Sequence, residues 1–319
     1  MITSEELSQQ FAGKSVLITG ASGFIGSHLC YRLATFGARI HAVSRSPQPR
    51  ESDHIQWWQA DCSDVADTRR VVASVRAQFI FHLASHVTGA RNLDVVLPTF
   101  YNNLASTVHL LTAAAEIGCR RMILASSSEE PQAFDGGTFA CSPYAAAKWA
   151  GSIYGRMFHQ LFGFPVVMPR IFMTYGPDQK DIQKLVPSVA LHLLRGEIPK
   201  LSSGQRRADW IYVDDVVEGL LRAAITPGID GCAFDLGTGV LTSVREIVEQ
   251  IARNVPTSVT PAFGALPDRP FEQERPADVT FLSTKLGFTP RVKVEQGIAS
   301  TVSWYQQQVG SLSDPSQPH

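Results

Sequence analysis

The chain has 319 residues, enough for one large domain or two modest ones, with an apolar share typical of globular proteins. Basic and acidic residues number 28 and 29, which implies no broad basic face for nucleic acid. No apolar run approaches the roughly 20 residues that span a bilayer, so neither a nucleic-acid nor a membrane partner is expected. The polar stretch from Met1 to Lys14 does not read as a signal peptide. Cys30, Cys62, Cys119, Cys141 and Cys232 are scattered and show no metal spacing. Reduced thiols, a cytoplasmic location and no metal are expected.

Strand and helix signals alternate through the first half. Ser15 to Thr19 is a short apolar strand that ends at a glycine turn, and Phe24 to Phe36 is a helix closed by Gly37. Arg39 to Val43, Phe79 to Ala84 and Arg121 to Ala125 are further strands. A helix from about Thr99 to Ile117, closed by Gly118, lies between the last two. Ser142-Pro143 starts another helix, with serine as N-cap and proline in the first turn, and it runs to about Leu161 before Gly163. Strands apolar on both faces, linked by helices, predict an α/β fold with a Rossmann-type doubly wound parallel sheet.

Pro165 to Phe172 is strand-like, and strand and helix return at Trp210 to Ala224. The block from Asn254 to Phe288 is proline-rich. The predicted division is a dinucleotide-binding domain of residues 1–172 plus 208–240 and a smaller substrate-binding lobe of 173–207 plus 241–306. Residues 307–319, rich in Gln, Ser and Pro, are expected to form a disordered tail. His82 and His109 read as packed core residues, and Asp214 and Asp215 as caps of the helix that follows.

Gly20, Gly23 and Gly26, with Ser22, Phe24 and Ile25 between them, form G-x-x-G-x-x-G between a strand and a helix. Such a turn lets the backbone approach a pyrophosphate, which the helix N-terminus then binds through its N–H groups and dipole. The second strand ends at Ser44-Arg45 without an acid. An acid there would bind the ribose 2′-OH of NAD, whereas arginine suits a 2′-phosphate. NADP(H) is therefore favoured, with NAD(H) possible. Asp61, next to Cys62, either faces the adenine or caps the turn that follows.

Tyr144 and Lys148 are spaced to share one face of a helix. A free phenol has a pKa of about 10, and a nearby ammonium lowers it. Tyr144 can then take a proton from a carbinol or give one to a carbonyl oxygen. Ser128 or Ser127, at the tip of the preceding strand beside Ser126, can hold the same oxygen.

With these motifs the chain resembles the extended short-chain dehydrogenase/reductase family, whose members are mainly nucleotide-sugar epimerases, dehydratases, decarboxylases and ketoreductases. The resemblance runs from Ser15 to Tyr305. It rests on the phosphate turn, Asp61, His82-Leu83-Ala84-Ser85, Asn103, Ser126-Ser127-Ser128, Tyr144 with Lys148, Arg170-Ile171-Phe172, Tyr175-Gly176-Pro177, Asp209 to Asp215, and Leu286-Gly287-Phe288. It implies a catalytic Ser128, Tyr144 and Lys148, with Ser127 as the alternative serine. It also places Cys62, Leu83, Ala84, Ser85, Asn103 and Ser126 at the cofactor and His86 at the substrate. Met173 stands where many members have a substrate-binding asparagine, and Ala208 where many have a diphosphate-binding arginine. Arg207 and Arg269 are the remaining candidates for the diphosphate. Members often dimerise through the helices that here hold Asn103 and Tyr144, which implies a homodimer.

Glu130 matches the glutamate of family dehydratases and decarboxylases, and Glu129 precedes it. The usual Val-Tyr-Gly after it is replaced by Pro131-Gln132-Ala133. The leading expectation is NADP(H)-dependent reduction of a nucleotide-linked 4-keto sugar. The alternatives are NAD-dependent 4-epimerisation, and 4,6-dehydration or decarboxylation through Glu129 and Glu130. A non-catalytic NADP(H) sensor is a remote further alternative.

Overall fold

A computed structural model describes residues 3–48, 54–131 and 139–312. In chain order the elements are α1 (Ser4–Phe11), β1 (Ser15–Thr19), α2 (Phe24–Thr35), β2 (Arg39–Ser44), β3 (Ile55–Gln59), α3 (Val65–Val75) and β4 (Phe79–His82). A 3-10 turn (Leu93–Val95), α4 (Val96–Thr99), a π-helical segment (Phe100–Ala105) and α5 (Ser106–Ile117) follow as one helical run. Then come β5 (Arg121–Leu124), β6 (Ser126–Ser127), α6 (Pro143–Phe162), β7 (Val166–Ile171), β8 (Met173–Tyr175), α7 (Leu185–Leu194), β9 (Arg207–Tyr212) and α8 (Val213–Ile225). The chain closes with β10 (Ala233–Leu236), β11 (Leu241–Ser243), α9 (Val244–Arg253), α10 (Thr280–Thr284) and α11 (Val294–Leu312).

These elements form two compact units. The first comprises residues 1–171, 217–236 and 278–289, and the second 172–216, 237–277 and 290–319. The first is built on a parallel sheet in the order β10-β7-β5-β4-β1-β2-β3, with β6 added beside β7. The central strands β1, β4 and β5 are buried at every position, which requires helices on both faces of the sheet. Leu17, Ile80 and Met122 from the strands pack with Val72 of α3, Leu110 and Leu111 of α5 and Phe158 of α6. Each such side chain contributes roughly 1.5–3 kcal/mol when fully buried. Strand order reverses between β1 and β4, so the crevice at their C-terminal ends is where this class of sheet binds ligands.

Two elements of this unit escape a reading of apolar periodicity. Helix α1 is polar outside but starts with a capping box, Thr3 paired reciprocally with Glu6, and buries Leu7 and Phe11. Phe11 lies 4.9 Å from the Phe79 ring. Helix α3 is capped by Asp64, which accepts from the Asp67 N–H at 2.9 Å.

The second unit has a small sheet in which β8 runs parallel and β11 antiparallel to β9. Its core joins Val186, Val189 and Leu193 of α7, Ile247 and Ile251 of α9, and Ile298 and Val302 of α11. Asp209 of β9 is 1% exposed. It accepts from the N–H groups of Thr238, Gly239 and Ala277 and from the Thr238 hydroxyl at 2.6–3.0 Å, tying two loops to the strand.

The structure moves several predicted boundaries, and residues 237–240 pass to the second unit. Residues 208–216 belong to the second unit, because β9 pairs with β8 and β11. Residues 278–289 belong to the first, where Phe281 stacks on Phe234 of β10 at 4.6 Å. Helix α11 continues through Leu312, past the expected tail boundary, since Gln306 to Gln308 are good helix formers; residues 313–319 lie outside the described residues. Asp215 accepts from the Arg291 and Val292 N–H groups at 2.9–3.0 Å, tethering that segment, a role beyond the expected cap.

Candidate active site

The glycine turn sits at the sheet's switch point. Gly20 has φ +70°, and a Cβ there would lie 2.6 Å from the Ala84 nitrogen. Gly26 lies against the Gly20 carbonyl, where any Cβ would collide with that oxygen. Gly23 caps α2 without a side-chain bond, and the first turn, which contains Phe24 and Ile25, holds no acid. The chain thus offers a helix N-terminus with no internal anion, which fits the pyrophosphate of a dinucleotide. Ser22 lies in the same turn.

At the end of β2, Ser44 accepts from the Gln48 side chain at 3.1 Å, and Arg45 donates to Asn102 Oδ1 at 3.1 Å. Asp61 takes the turn-capping role, accepting from the Ser63 N–H and hydroxyl at 2.8 Å each. Burial pushes the neighbouring Cys62 thiol up to about 12, which makes it unreactive.

The residues after β4 are held by a polar network. Leu83 N–H donates to the Thr19 carbonyl at 3.1 Å, and Ala84 N–H to the Thr19 hydroxyl at 3.2 Å. His82 is 1% exposed and bridges the hydroxyls of Thr19 (2.7 Å) and Thr107 (3.1 Å). It is a core residue with two polar partners, and burial pushes its pKa down to about 3. Asn103 Oδ1 accepts from the Ser85 hydroxyl (3.1 Å) and the His86 N–H (2.6 Å), and its amide donates to the His86 carbonyl (3.2 Å). Asn102 and Asn103 both lie in the π-helical segment, a feature frequent at functional sites that apolar periodicity does not reveal.

The Ser, Tyr and Lys candidates lie on β6 and α6. Ser142 caps α6 by accepting from the Ala145 N–H at 3.0 Å, and Pro143 opens the first turn. β6 pairs with β7, setting Ser127 beside Ile171. The Lys148 ammonium donates to the Ala125 carbonyl at 2.9 Å and lies 6.0 Å from the Tyr144 ring centre. Burial drags the Lys148 pKa down to about 8, with Glu130 pulling upward. The Tyr144 phenol is raised above its ordinary range, chiefly by burial. Its hydrogen bond with the Ser127 hydroxyl opposes this, Glu129 and Glu130 add to it, and Ser85 again opposes it. The expected lowering by Lys148 is thus reversed, because desolvation of the phenol outweighs the hydrogen bonds from Ser127 and Ser85.

Among the three serines, Ser127 holds the phenol, while Ser128 N–H donates to the Ile171 carbonyl at 3.1 Å. The Ser126 hydroxyl contacts that of Ser152 on α6, a residue that only the spacing Tyr144-Lys148-Ser152 could have flagged. Glu130 is 3% exposed; Ser152 Oγ and Ser127 N–H donate to its Oε1 at 2.9 and 3.3 Å. Glu129 accepts from Ser142 Oγ at 3.2 Å. Gln132 and Ala133 lie outside the described residues.

In the second unit, Met173 opens β8 opposite Trp210 and packs against that unit's core. Arg207 is exposed, and its N–H donates to Glu274 at 3.0 Å. Arg206 pairs with Glu272 at 3.0 Å. Arg269 is exposed, and Arg275 stacks 4.7 Å above Phe172.

A Rossmann sheet with an anion-binding turn at its switch point and a Ser-Tyr-Lys group beyond it defines a dinucleotide-dependent oxidoreductase of the short-chain type. Residues 16–234 match the model of the NAD dependent epimerase/dehydratase family. The chain is 32% identical over 310 residues to a UDP-glucose 4-epimerase of Mycolicibacterium smegmatis, covering 91% of this chain and 98% of that one. It is 28% identical over 322 residues to a dTDP-glucose 4,6-dehydratase of an Actinoplanes species, covering 91% and 97%. Its fold matches the UDP-glucose 4-epimerase of Thermotoga maritima, solved with UDP-glucose, at a TM-score of 0.84 and 24% identity over 92% and 99% of the two chains. The chain belongs to the NAD dependent epimerase/dehydratase family and is a nucleotide-sugar-modifying enzyme of the extended short-chain type. Among the described residues no helix is long and apolar enough to cross a membrane.

Proposed function

We propose that the chain is a nucleotide-hexose 4-epimerase that acts by transient oxidation at C4. One observation carries this choice within the family: the buried Glu130 is turned into the protein and held by Ser152 and the Ser127 N–H. Tyr144 is left as the proton-transfer group. A 4,6-dehydratase needs a further acid and base to remove the C6 hydroxyl and the C5 proton. The epimerase named among the relatives, similar over almost its whole length, supports the same reading.

The dinucleotide, when bound, supplies the two-electron acceptor and donor. The chain's own residues do the rest. The α2 N-terminus binds the pyrophosphate. Ser127 hydrogen-bonds the C4 oxygen, with Ser128 the neighbouring alternative. Tyr144 takes the C4 hydroxyl proton during oxidation and returns it during reduction. Lys148 steadies the phenolate while it exists, and Arg207 and Arg269 bind the diphosphate. The smaller unit is the substrate-binding lobe, and the working form is a homodimer.

A second reading rests on Arg45. Residues 45–48 contain this arginine and no acid, which favours the 2′-phosphate of NADP(H) and an exchangeable cofactor. The raised phenol, protonated at neutral pH, suits a donor in reduction of a 4-keto sugar. The purified protein should be denatured and any released dinucleotide identified, and UDP-glucose and UDP-galactose should be incubated with fresh enzyme. Stoichiometric NAD and interconversion of the sugars are expected. An empty protein that consumes NADPH with a 4-keto sugar nucleotide would replace the epimerase with the reductase.

A further inference from the structure

Ser152 is the third member of a row on α6 that begins with Tyr144 and Lys148. The three are spaced by four residues, so they share the face that meets the run Ala125 to Ser127. Lys148 donates to the Ala125 carbonyl at 2.9 Å. One turn on, the Ser152 hydroxyl contacts the Ser126 hydroxyl and donates to Glu130 Oε1 at 2.9 Å. The Ser127 N–H donates to the same carboxylate oxygen at 3.3 Å. Glu130, Ser126, Ser152 and Lys148 are 3%, 5%, 5% and 6% exposed.

A carboxylate this deep is costly unless it is hydrogen-bonded and paired with a charge. The C4 chemistry assigns Glu130 no proton to move. A neutral residue could accept the Ser127 N–H at lower cost. We propose that Glu130 is a positioning residue for that chemistry, tethered to α6 through Ser152 and acting as the counter-charge of the Lys148 ammonium beside Tyr144. The inference rests on Tyr144 being the proton-transfer group.

The charged neighbours agree with this role. His82 on β4, which senses the Lys148 charge, is neutral near pH 7 because burial holds its pKa at about 3. Burial raises the pKa of Glu130 itself; hydrogen bonds from Ser126, Ser152 and the Ser127 N–H oppose this, as does Arg170 on β7, which is paired with Asp235 of β10 at 2.6 Å. Glu129 acts on the phenol. Glu130 pulls the Lys148 pKa up against burial and also opposes ionisation of Tyr144. Its contribution to the pair is therefore the ammonium form of Lys148, the form that steadies the phenolate.

Lysine labelled with carbon-13 at the ε position would report the Lys148 titration in the full chain, the resonance being assigned by its loss in Lys148→Met. The midpoint in the parent protein is expected near about 8. Glu130→Gln keeps an acceptor for Ser152 and removes the charge, so the midpoint should fall by about one unit or more. Ser152→Ala removes a bond that favours the carboxylate and should shift it the same way by less; this variant decides the matter if the glutamine variant does not fold. An unchanged midpoint in the folded glutamine variant, or in the folded alanine variant where that one decides, overturns the proposal. The titration needs no sugar substrate. Failure of the parent enzyme to turn over any nucleotide sugar would sink the functional reading without touching it.

Discussion

Replacing Lys148 with methionine should stabilise the fold at neutral pH while abolishing activity. Lys148 is 6% exposed, and burial pulls its pKa from the ordinary 10.5 to about 8. At about 1.4 kcal/mol per pH unit, keeping it protonated in the folded state costs about 3 kcal/mol. Its bond to the Ala125 carbonyl is lost in the variant, which takes back roughly 1–2 kcal/mol. A net gain of about 1–2 kcal/mol is expected at pH 7. The sign fixes the pH window. Between about 8 and 10.5 the unfolded chain binds the Lys148 proton and the folded chain does not, so the parent gains stability as pH rises. The advantage of the methionine variant is thus full below about pH 8 and shrinks toward 10.5. Urea denaturation of both proteins at intervals from neutral to alkaline pH measures it. A difference that does not change with pH, or a variant less stable at pH 7, would refute the reasoning.

Other outcomes follow from the same geometry. Tyr144→Phe should cut turnover by roughly 10²–10⁴-fold and leave dinucleotide affinity nearly intact, as measured by fluorescence titration; turnover at the parent rate would remove Tyr144 from the mechanism. Gly26→Ala drives a Cβ into the Gly20 carbonyl, so the start of α2 must shift; loss of dinucleotide binding is expected in the same titration. Asp209→Ala strands the N–H groups of Thr238, Gly239 and Ala277, which should cost about 3 kcal/mol or more in denaturant unfolding.

The parallel sheet, the glycine turn between β1 and α2 and the shared helix face of Tyr144 and Lys148 were legible in the chain. Continuous apolar runs and glycines at a strand–helix junction are local patterns with one structural meaning. The capping box before α1 is equally local, but the helix it starts is polar apart from the buried Leu7 and Phe11 and carries little apolar periodicity. The direction of the Tyr144 shift was not legible. Spacing reveals that an ammonium shares the helix face, but the phenol's ionisation depends on how much water is removed, and that is set by strands and loops distant in sequence. The choice between the serines is of the same kind. Three adjacent hydroxyls look alike in sequence, and only the pairing of β6 with β7 turns Ser127 toward the phenol and Ser126 toward Ser152. Glu130 makes the point most clearly. By position it resembles a glutamate of the dehydratases, yet the fold buries it against α6. Sequence alone thus determined which chemical groups are present and the elements that carry them. Their burial and mutual contacts, and hence their charge states, were decided by tertiary packing, because desolvation and Coulomb energies depend on distance in space.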